Sequence, residues 1–301
     1  MINVRLLRHL WSFLAVAEER HFGRAAKRLG ISQPPLTEQI QALERSLGIR
    51  LFERSRRGAA LTREGEAILP AVQRFAEQMS HLEGVVRAAK EGKKEFIAIG
   101  AITPAFYDVL PKVLKIVAAE LPEVTTSFVE LHTAQAVTML QSGTVDLVFA
   151  RLVRSVGSIR VVPLVSDKLV VALSRDHPFA SRTKIAIEDL ANEPWVYIRR
   201  QLSPPYFDGV ISACAEAGFS PRLVHEVGSE ASQVAFVSCG LGIAIVPSNL
   251  SRIVAPNVAF RPLADTNDIV TASLAWDEGR ITPAGQALIE IARRRSTLGS
   301  P

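Results

Sequence analysis

The sequence predicts an α/β protein in three parts: a small basic N-terminal module, one long helix and a larger body. Residues 1–62 hold ten Arg and one Lys against five Glu, a net charge of +6, whereas the whole 301-residue chain carries only +5. Apolar residues recur at helical spacing to about residue 91, and strand-like and helical runs alternate beyond it. With 48% hydrophobic and 22% charged residues, the composition is that of a globular protein with real cores.

Three helices are predicted at the N-terminus, the last two joined by a tight turn. Apolar residues have helical spacing over 6–19 and over Phe22–Leu29, and Gly30 can end the second helix in the left-handed conformation. Ser32 is a natural N-cap for a third helix that runs to about Leu47. The inner face of this helix consists of Leu36, Ile40, Leu43 and Leu47. Two helices in this arrangement form a helix-turn-helix.

The segment 49–62 predicts a wing on that motif. Leu51 and Phe52 are expected to pack inward before a basic turn, Arg54-Ser55-Arg56-Arg57-Gly58, and Ala60 to Thr62 returns as a second strand. Residues 1–62 are therefore assigned as a winged helix-turn-helix, and their positive charge favours a polyanion such as DNA as the partner. A basic surface that is merely solvated is the alternative interpretation of the charge.

One long helix is predicted from Thr62 to about Glu91, and residues 63–92 are assigned as a linker. Its apolar stripe, close to a heptad seam, consists of Ile68, Leu69, Val72, Phe75, Ala76, Met79, Leu82, Val85 and Val86. A helix of roughly 28 residues is about 42 Å long, and an exposed helix with such a stripe usually pairs with another chain. The stripe predicts dimerisation, and packing of the helix on its own domain is the alternative.

The body alternates between strand-like and helical runs, which indicates parallel α/β sheets. The predicted strands are Phe96–Ala101, Thr126–Leu131, Val145–Ala150, Leu169–Leu173, Trp195–Ile198, Leu223–Glu226, Gly242–Val246 and Ile269–Trp276. The predicted helices are Val109–Glu120, Ala134–Gln141, Tyr206–Ala217, Glu230–Cys239 and Pro283–Arg295.

Several classes of protein are disfavoured by what the sequence lacks. No apolar run reaches the roughly 18 residues that span a bilayer, and the N-terminus has no signal-peptide pattern, so a cytoplasmic protein is expected. Cys214 and Cys239 are expected to be buried thiols rather than a disulfide. The six His show no metal-ligand spacing, and no catalytic motif is present. Gly240 and Gly242 do not indicate a nucleotide site, because the third glycine is missing and the pair precedes a strand instead of following one. We expect neither a cofactor nor a metal, and no enzymatic activity.

The N-terminal 65 residues closely resemble those of LysR-type transcriptional regulators. The matching positions are Leu7-Arg8-His9-Leu10, Phe13, Ala15-Val16-Ala17-Glu18-Glu19, Phe22, Ala25-Ala26, Leu29, Ile31-Ser32-Gln33-Pro34-Pro35-Leu36, Gln39-Ile40, Leu43-Glu44, Leu47-Gly48, Leu51-Phe52-Glu53-Arg54, Leu61-Thr62 and Gly65. The body resembles the family's effector domain more weakly, at Leu110-Pro111, Leu121-Pro122, Gly143, Val145-Asp146, Asp176-His177-Pro178, Gly240-Leu241-Gly242-Ile243 and Val246-Pro247. The double proline and Phe149-Ala150-Arg151 look most like the branch that serves benzoate, muconate and chlorocatechol pathways.

The resemblance implies an effector-binding domain, 93–301, built as two subdomains similar to those of periplasmic binding proteins. Subdomain one would comprise about 93–165 plus 269–301, and subdomain two about 166–268, with a pocket in the cleft between them. Family members are usually tetramers paired through the linker helix, so a homodimer or homotetramer is expected here. The resemblance thus implies a sequence-specific regulator of transcription whose activity responds to a small, anionic aromatic or dicarboxylate effector.

The N-terminal turns of the third helix are the candidate DNA-reading surface, since the recognition helix of such a motif presents its first residues to base edges. The candidates on the helix-turn-helix span Phe22 to Gln41 are Ser32, Gln33, Pro34, Pro35, Thr37, Glu38 and Gln41. Many relatives carry Arg at the position of Glu38. The wing adds Arg54, Arg56 and Arg57 for phosphates or the minor groove, and Arg24, Lys27 and Arg28 are weaker candidates. Simple solvation is the alternative for all of these.

The family's effector-pocket residues map onto six positions of this chain. They are Thr103, Pro104, Thr133, Arg151, Tyr206 and Phe207. Thr103 and Arg151 follow strands, and Thr133 opens a helix whose amides can hold an anion. Several aromatic-acid sensors have a hydroxyl residue where this chain has Pro104. Arg199 and Arg200 could serve a second carboxylate or be solvated.

Two other functions remain open from the residues alone. The first is a periplasmic solute-binding protein, against which the missing export signal and the basic N-terminal module argue. The second is an α/β enzyme, for which no catalytic constellation is found in the sequence. Helix capping or surface charge is the alternative role of each pocket residue.

Overall fold

A computed structural model of the chain describes residues 7–55, 58–253, 255–264 and 270–297. Its contacts divide the chain into two units, Met1–Glu83 and Gly84–Pro301. The first unit contains α1 (Leu7–Glu19), α2 (Phe22–Arg28), α3 (Gln33–Leu47), β1 (Phe52–Ser55) and β2 (Gly58–Leu61). The helix α4 (Arg63–Lys90) begins in the first unit and ends in the second.

The first unit folds around one apolar core to which each of its predicted helices contributes. Phe13 of α1, Ala25 of α2 and Leu36 and Ile40 of α3 are all fully buried. The small Ala25 and Ala26 lie where the helices meet, as small side chains must for a close approach. β1 and β2 pair as an antiparallel hairpin. The predicted fold class is confirmed.

The ends of α2 and α3 differ in detail from the prediction. His21, which the sequence did not single out, caps α2 by accepting at Nδ1 from the backbone N–H of Gly23 at 3.0 Å. Ser32 occupies the N-cap position of α3, but its side chain makes no capping hydrogen bond. Gly48 ends α3 at φ +70°, a conformation that costs glycine little. The predicted helix boundaries are accurate to about a turn because these caps are local.

The apolar stripe of α4 divides into two parts. Thr62 caps the helix through its Oγ1, which accepts from the Gly65 N–H at 3.0 Å. The first part packs on the helix's own domain, where Val72 is only 7% exposed and Phe75 lies edge-on to Trp11. Further along α4, the stripe is exposed at Leu82, Val85 and Val86. The first part of the stripe thus packs on its own domain, and the prediction of dimerisation rests on the exposed second part.

The second unit begins with a five-stranded mixed sheet. Its elements are β3 (Glu95–Ala101), α5 (Thr103–Phe106), α6 (Val109–Glu120), β4 (Val124–Glu130), α7 (Thr133–Ser142), β5 (Leu147–Ala150), β6 (Ile159–Asp167), β12 (Val270–Asp277) and α10 (Pro283–Thr297). The strand order is β4-β3-β5-β12-β6. β3 is parallel to β4 and β5, whereas β12 is antiparallel to β5 and β6. Helices α5, α6, α7 and α10 complete this core.

A second apolar core follows in the same unit. Its elements are β7 (Leu169–Ser174), β8 (Pro194–Ile198), α8 (Pro204–Glu216), β9 (Arg222–Val227), α9 (Glu230–Ser238), β10 (Ala244–Pro247) and β11 (Val258–Pro262). Short 3₁₀ helices lie at Pro178–Ser181, Ile187–Leu190 and Ser248–Arg252. β7 pairs antiparallel with β10 and β11, and β8 is parallel to β9. The chain passes from the first core to the second between β6 and β7 and returns at β12.

The prediction of parallel sheets is only partly correct. The strands β3, β4, β5, β8 and β9 have parallel partners, but β7, β10 and β11 form an antiparallel set. The sequence also missed β6 and β11. Pro163 interrupts β6, and a proline is tolerated there because β6 is an edge strand of its sheet. Whether two strands pair parallel or antiparallel depends on the path of the chain that connects them. The spacing of apolar residues within a strand carries no information about that path.

The two cysteines are free thiols in different surroundings. Cys214 is buried in the second core, and burial raises the pKa of its thiol to about 11. Cys239 is exposed, so the prediction that both are buried is wrong for this residue. Cys239 is the C-cap of α9, where the chain leaves the packed face of the helix.

Candidate nucleic-acid interface and polar cleft

The third helix presents its predicted DNA-reading residues on one face. Leu36, Ile40 and Leu43 are fully buried. The candidates Ser32, Gln33, Pro34, Glu38 and Gln41 are exposed, and Pro35 and Thr37 are half-buried. The polar face is thus free to contact a macromolecule, while the opposite face holds the helix in the core.

The basic residues around the motif are placed less uniformly. Arg54 belongs to β1, where its backbone pairs with Ala59, whereas Arg56 and Arg57 lie outside the described residues. On α2, Arg28 forms an ion pair with Glu18, which raises the pKa of the guanidinium. Arg24 approaches Glu19 of α1 at 3.4 Å. These two arginines are partly neutralised within the fold, which keeps them weaker candidates for phosphate contact.

Three predicted pocket residues lie at the ends of three neighbouring parallel strands. Thr103 follows β3, Thr133 follows β4 and Arg151 follows β5. Because β4, β3 and β5 are adjacent and parallel, their carboxyl ends meet at one edge of the sheet. All three side chains are buried, and Thr103 Oγ1 donates to Glu130 at the end of β4.

Residues of the second core complete this edge. Tyr206, in the first turn of α8, places its ring 4.8 Å from the guanidinium carbon of Arg151. Arg151 Nη1 donates to Glu230 Oε1, at the start of α9, over 2.8 Å. Arg151 is 3% exposed and Glu230 5%, so the two side chains form a buried ion pair between the cores. The predicted Phe207 is half-buried and packs against Tyr197 instead.

The phenol of Tyr206 is a neutral group in this cleft. Its hydroxyl donates to the carbonyl oxygen of Ile245. Burial raises the pKa of Tyr206 well above its ordinary value, and the neighbouring Glu230 raises it further. Tyr206 therefore contributes an aromatic surface over Arg151 and no charge.

The sequence analysis does not identify Glu230 as a site residue. It predicts Glu230 only as the first residue of a helix, where an acidic side chain is ordinarily solvated. In the structure Glu230, Gln233, Val234 and Val237 form the buried face of α9. Their i, i+3, i+4, i+7 spacing is the signal that could have revealed two polar residues on an apolar helix face.

Several buried polar atoms of the cleft lack a hydrogen-bond partner among the described residues. They are Thr133 Oγ1, Arg151 Nε and Nη2, Ser203 Oγ, Gln233 Oε1 and Asn249 Oδ1. The Ala134 N–H donates to Leu202 O at 3.2 Å, so the N-terminus of α7 touches the residue before Ser203. Asn249 Nδ2 donates to Pro104 O at 3.0 Å. Since buried polar groups are normally paired, this cluster indicates a site for a polar ligand.

The arginines considered for a second carboxylate are already engaged on the surface. Arg199 Nε lies 3.2 Å from Glu226 Oε1. Arg200 makes a two-pronged contact with Asp208, which raises the pKa of the arginine and lowers that of the aspartate. All four side chains are about half exposed. Neither arginine adds a free positive charge to the cleft.

The described residues offer neither a metal site nor a membrane-spanning helix. They contain no group of three or more His, Cys, Asp or Glu side chains placed to hold a metal ion. None of their helices is long and apolar enough to cross a membrane.

Comparison with known proteins gives two family matches that together cover most of the chain. Residues 7–66 match the bacterial regulatory helix-turn-helix protein, lysR family, and residues 90–297 match the LysR substrate binding domain. The HTH-type transcriptional regulator AlsR of Bacillus subtilis is 31% identical over 97% of this chain and 96% of its own length.

Solved structures agree with these matches. The LysR family transcriptional regulator CbnR superposes with a TM-score of 0.78 at 29% identity, over 96% of this chain and 99% of the other. Full-length CbnR complexed with its target DNA gives a TM-score of 0.77 at 28% identity, again over 96% and 99% of the two chains. These relatives are regulators, which confirms the prediction that this fold serves regulation of transcription and not enzymatic turnover.

Proposed function

The chain belongs to the LysR family of DNA-binding transcription regulators, and we propose that a small anionic molecule bound in the polar cleft controls its activity on DNA. The observation that carries this proposal is the group of unpartnered buried polar atoms around Arg151. Donors of a buried guanidinium and two hydroxyls at helix N-termini are suited to a carboxylate. The family's substrate-binding domain supplies the cleft, and these atoms supply its chemistry.

For the effector we propose an aromatic acid, with a dicarboxylate as the second candidate. The Tyr206 ring over Arg151 offers an aromatic surface beside the cation. The Pro34-Pro35 pair and Phe149-Ala150-Arg151 resemble the branch of the family that responds to intermediates of aromatic degradation. Thr133 and Arg151 would contact the acid group, and Thr103, Pro104 and Tyr206 the remainder of the molecule, while Phe207 would reach it only by leaving its contact with Tyr197.

On the DNA side, we propose that α3 enters the major groove and the wing contacts the backbone. Gln33 can donate to and accept from adenine, and Thr37 can contact a thymine methyl group. Glu38 would favour cytosine, whose amino group it can accept from, and would repel phosphate. Arg54, Arg56 and Arg57 are the proposed wing contacts.

We also propose a homodimer or homotetramer in the cytoplasm, with residues 1–62, 63–92 and 93–301 as functional segments. The exposed Leu82, Val85 and Val86 of α4 support a helix-to-helix contact between chains. Dimers of helix-turn-helix proteins read half-sites one helical turn, about 34–36 Å, or a multiple apart. A pseudo-palindromic operator is therefore expected.

The effector cleft is tested with Thr133→Val, because Thr133 Oγ1 is buried without a hydrogen-bond partner among the described residues. The variant removes a buried hydroxyl at constant shape, so the Tm should stay the same or rise. Affinity for an effector acid should fall about 5–10-fold, as expected for one hydrogen bond of about 1–1.4 kcal/mol. Benzoate and hexa-2,4-dienedioate are the first probes, followed by calorimetry on whichever gives the larger thermal shift.

Thr138→Val is the matched control, since Thr138 is an exposed threonine of the same helix α7. It should leave unchanged both the affinity for the probe acid and the effect of that acid on promoter binding. Equal probe affinities for wild type and Thr133→Val would place the effector elsewhere.

A further inference from the structure

The guanidinium of Arg151 is only partly occupied by Glu230. Nη1 makes the contact to Glu230, whereas Nε and Nη2 are buried without a partner among the described residues. Nε and Nη2 are parallel donors on one edge of the guanidinium, the geometry that a carboxylate accepts with both oxygens. The Nε–Nη2 edge therefore has the donor geometry for a ligand carboxylate while Nη1 stays on Glu230.

The buried charges of this unit balance before any ligand is bound. Among its described residues, Arg151 and Glu230 are the only Lys, Arg, Asp or Glu side chains that are buried. A monocarboxylate on the free edge adds one negative charge, which the N-termini of α7 and α8 can partly compensate. A dicarboxylate adds two, and burying an unpaired charge is costly.

The rim offers no free arginine at the two positions considered for a second carboxylate. Arg199 and Arg200 are paired with Glu226 and Asp208. A second carboxylate could reach either arginine only by displacing one of these partners. The balance of buried charge therefore depends on Glu230, whereas Glu130, which accepts from Thr103 Oγ1, is exposed.

Resting on the effector cleft proposed above, we propose that Glu230 makes the cleft selective for molecules with a single carboxylate, held on the Nε–Nη2 edge of Arg151. Glu230 acts through its charge: it repels a second carboxylate and, because it binds only Nη1, leaves the Nε–Nη2 edge for the first. The unpartnered acceptors Gln233 Oε1 and Asn249 Oδ1 favour hydroxyl or amine donors elsewhere on the same molecule. The proposal narrows the class of effector from aromatic acids or dicarboxylates to monocarboxylates that also carry a hydroxyl or amine donor.

The test compares matched acids on the full-length protein by thermal shift and calorimetry. Benzoate is paired with terephthalate and hexa-2,4-dienoate with hexa-2,4-dienedioate, and acetate probes the Arg151 edge independently of ligand size. Wild-type protein should bind each monoacid at least about tenfold more tightly than its diacid. In Glu230→Gln both should gain affinity, and the gain should be larger for the diacid, because Glu230 repels two charges on the diacid and one on the monoacid.

Two further variants keep the outcome decisive. Glu226→Gln removes an exposed carboxylate of the same core and should leave the selectivity as in wild type. If Glu230→Gln does not fold, the neutral double variant Arg151→Met/Glu230→Gln replaces it. That protein should no longer prefer benzoate over neutral benzamide.

Diacids that bind wild type as tightly as monoacids would overturn the inference, and so would a selectivity that Glu230→Gln leaves unchanged. If no acid, acetate included, stabilises either wild type or Glu230→Gln, the Arg151 edge does not accept a carboxylate. That result would also overturn the inference. These failures are distinct from failure of the proposed function. If Thr133→Val weakens binding of the acids as proposed while diacids bind wild type well, the effector cleft stands and only the charge argument fails.

Discussion

At the scale of single residues, the exposed face of α3 makes a direct prediction about DNA. Gln33 is exposed at the start of the recognition helix, so Gln33→Ala should leave the fold intact. A bidentate base contact discriminates by about 1–3 kcal/mol, and binding to the specific operator should weaken by that amount. Binding to random DNA, which depends on phosphate contacts, should change much less. Fluorescence anisotropy with both DNAs at one salt concentration measures the difference.

Gln73→Ala is the control for this substitution, because Gln73 is an exposed glutamine on α4, outside the helix-turn-helix. It should change neither affinity. Equal losses on operator and random DNA would mean that Gln33 does not read bases.

At the scale of elements, the buried and the exposed parts of α4 predict different results for the same kind of substitution. Val72 is buried in the first core, so Val72→Asp should unfold the N-terminal unit through an unpaired buried charge. Leu82 is 50% exposed, so Leu82→Asp should leave the monomer folded and dissociate the oligomer instead. Light scattering gives the mass of the assembly, and circular dichroism checks the helix content.

Gln73→Asp adds the same charge at an exposed position off the apolar stripe and should keep the assembly intact. A wild-type monomer, or an unchanged assembly in Leu82→Asp, would contradict the proposed role of the stripe.

At the scale of the whole molecule, Asp108 links the two cores of the larger unit. Arg252 Nη1, from the second core, donates to Asp108 Oδ1 at 2.6 Å and to Tyr107 O at 2.9 Å. Burial alone would raise the pKa of Asp108, but Lys112 and Arg252 more than offset it and hold the pKa below its ordinary value. A carboxyl with a depressed pKa contributes stability above its unfolded pKa of about 4 and loses it as the pH falls.

Urea unfolding at a series of pH values between 7 and 3 checks this linkage. The series should include points about one unit above and below the unfolded pKa of the carboxyl. Wild type should lose more stability than Arg252→Gln as the pH falls, and the two curves should converge at low pH. Because Arg252 is half exposed, the difference at neutral pH should be about 1 kcal/mol or less. Parallel curves would show that the cores are not linked through this pair.

Local sequence patterns were sufficient for much of the fold. The 3.6-residue spacing of Leu36, Ile40 and Leu43 predicts α3 and its exposed face, and both are observed. The positions of Thr103, Thr133 and Arg151 at strand ends follow from short runs of apolar residues. In each case the information lies within a few neighbouring residues, where backbone geometry alone relates the side chains.

Contacts between distant segments required the tertiary structure. Apolar periodicity cannot show that β12 returns antiparallel between β5 and β6, since strand direction depends on the path of the intervening chain. Nor can it show that Glu230, 79 positions beyond Arg151, neutralises that arginine. By itself the sequence determined the family, the helix-turn-helix and the presence of a cation in the cleft. Only the fold decided that this cation is already paired, because the energy of a buried charge depends on which distant groups packing brings next to it.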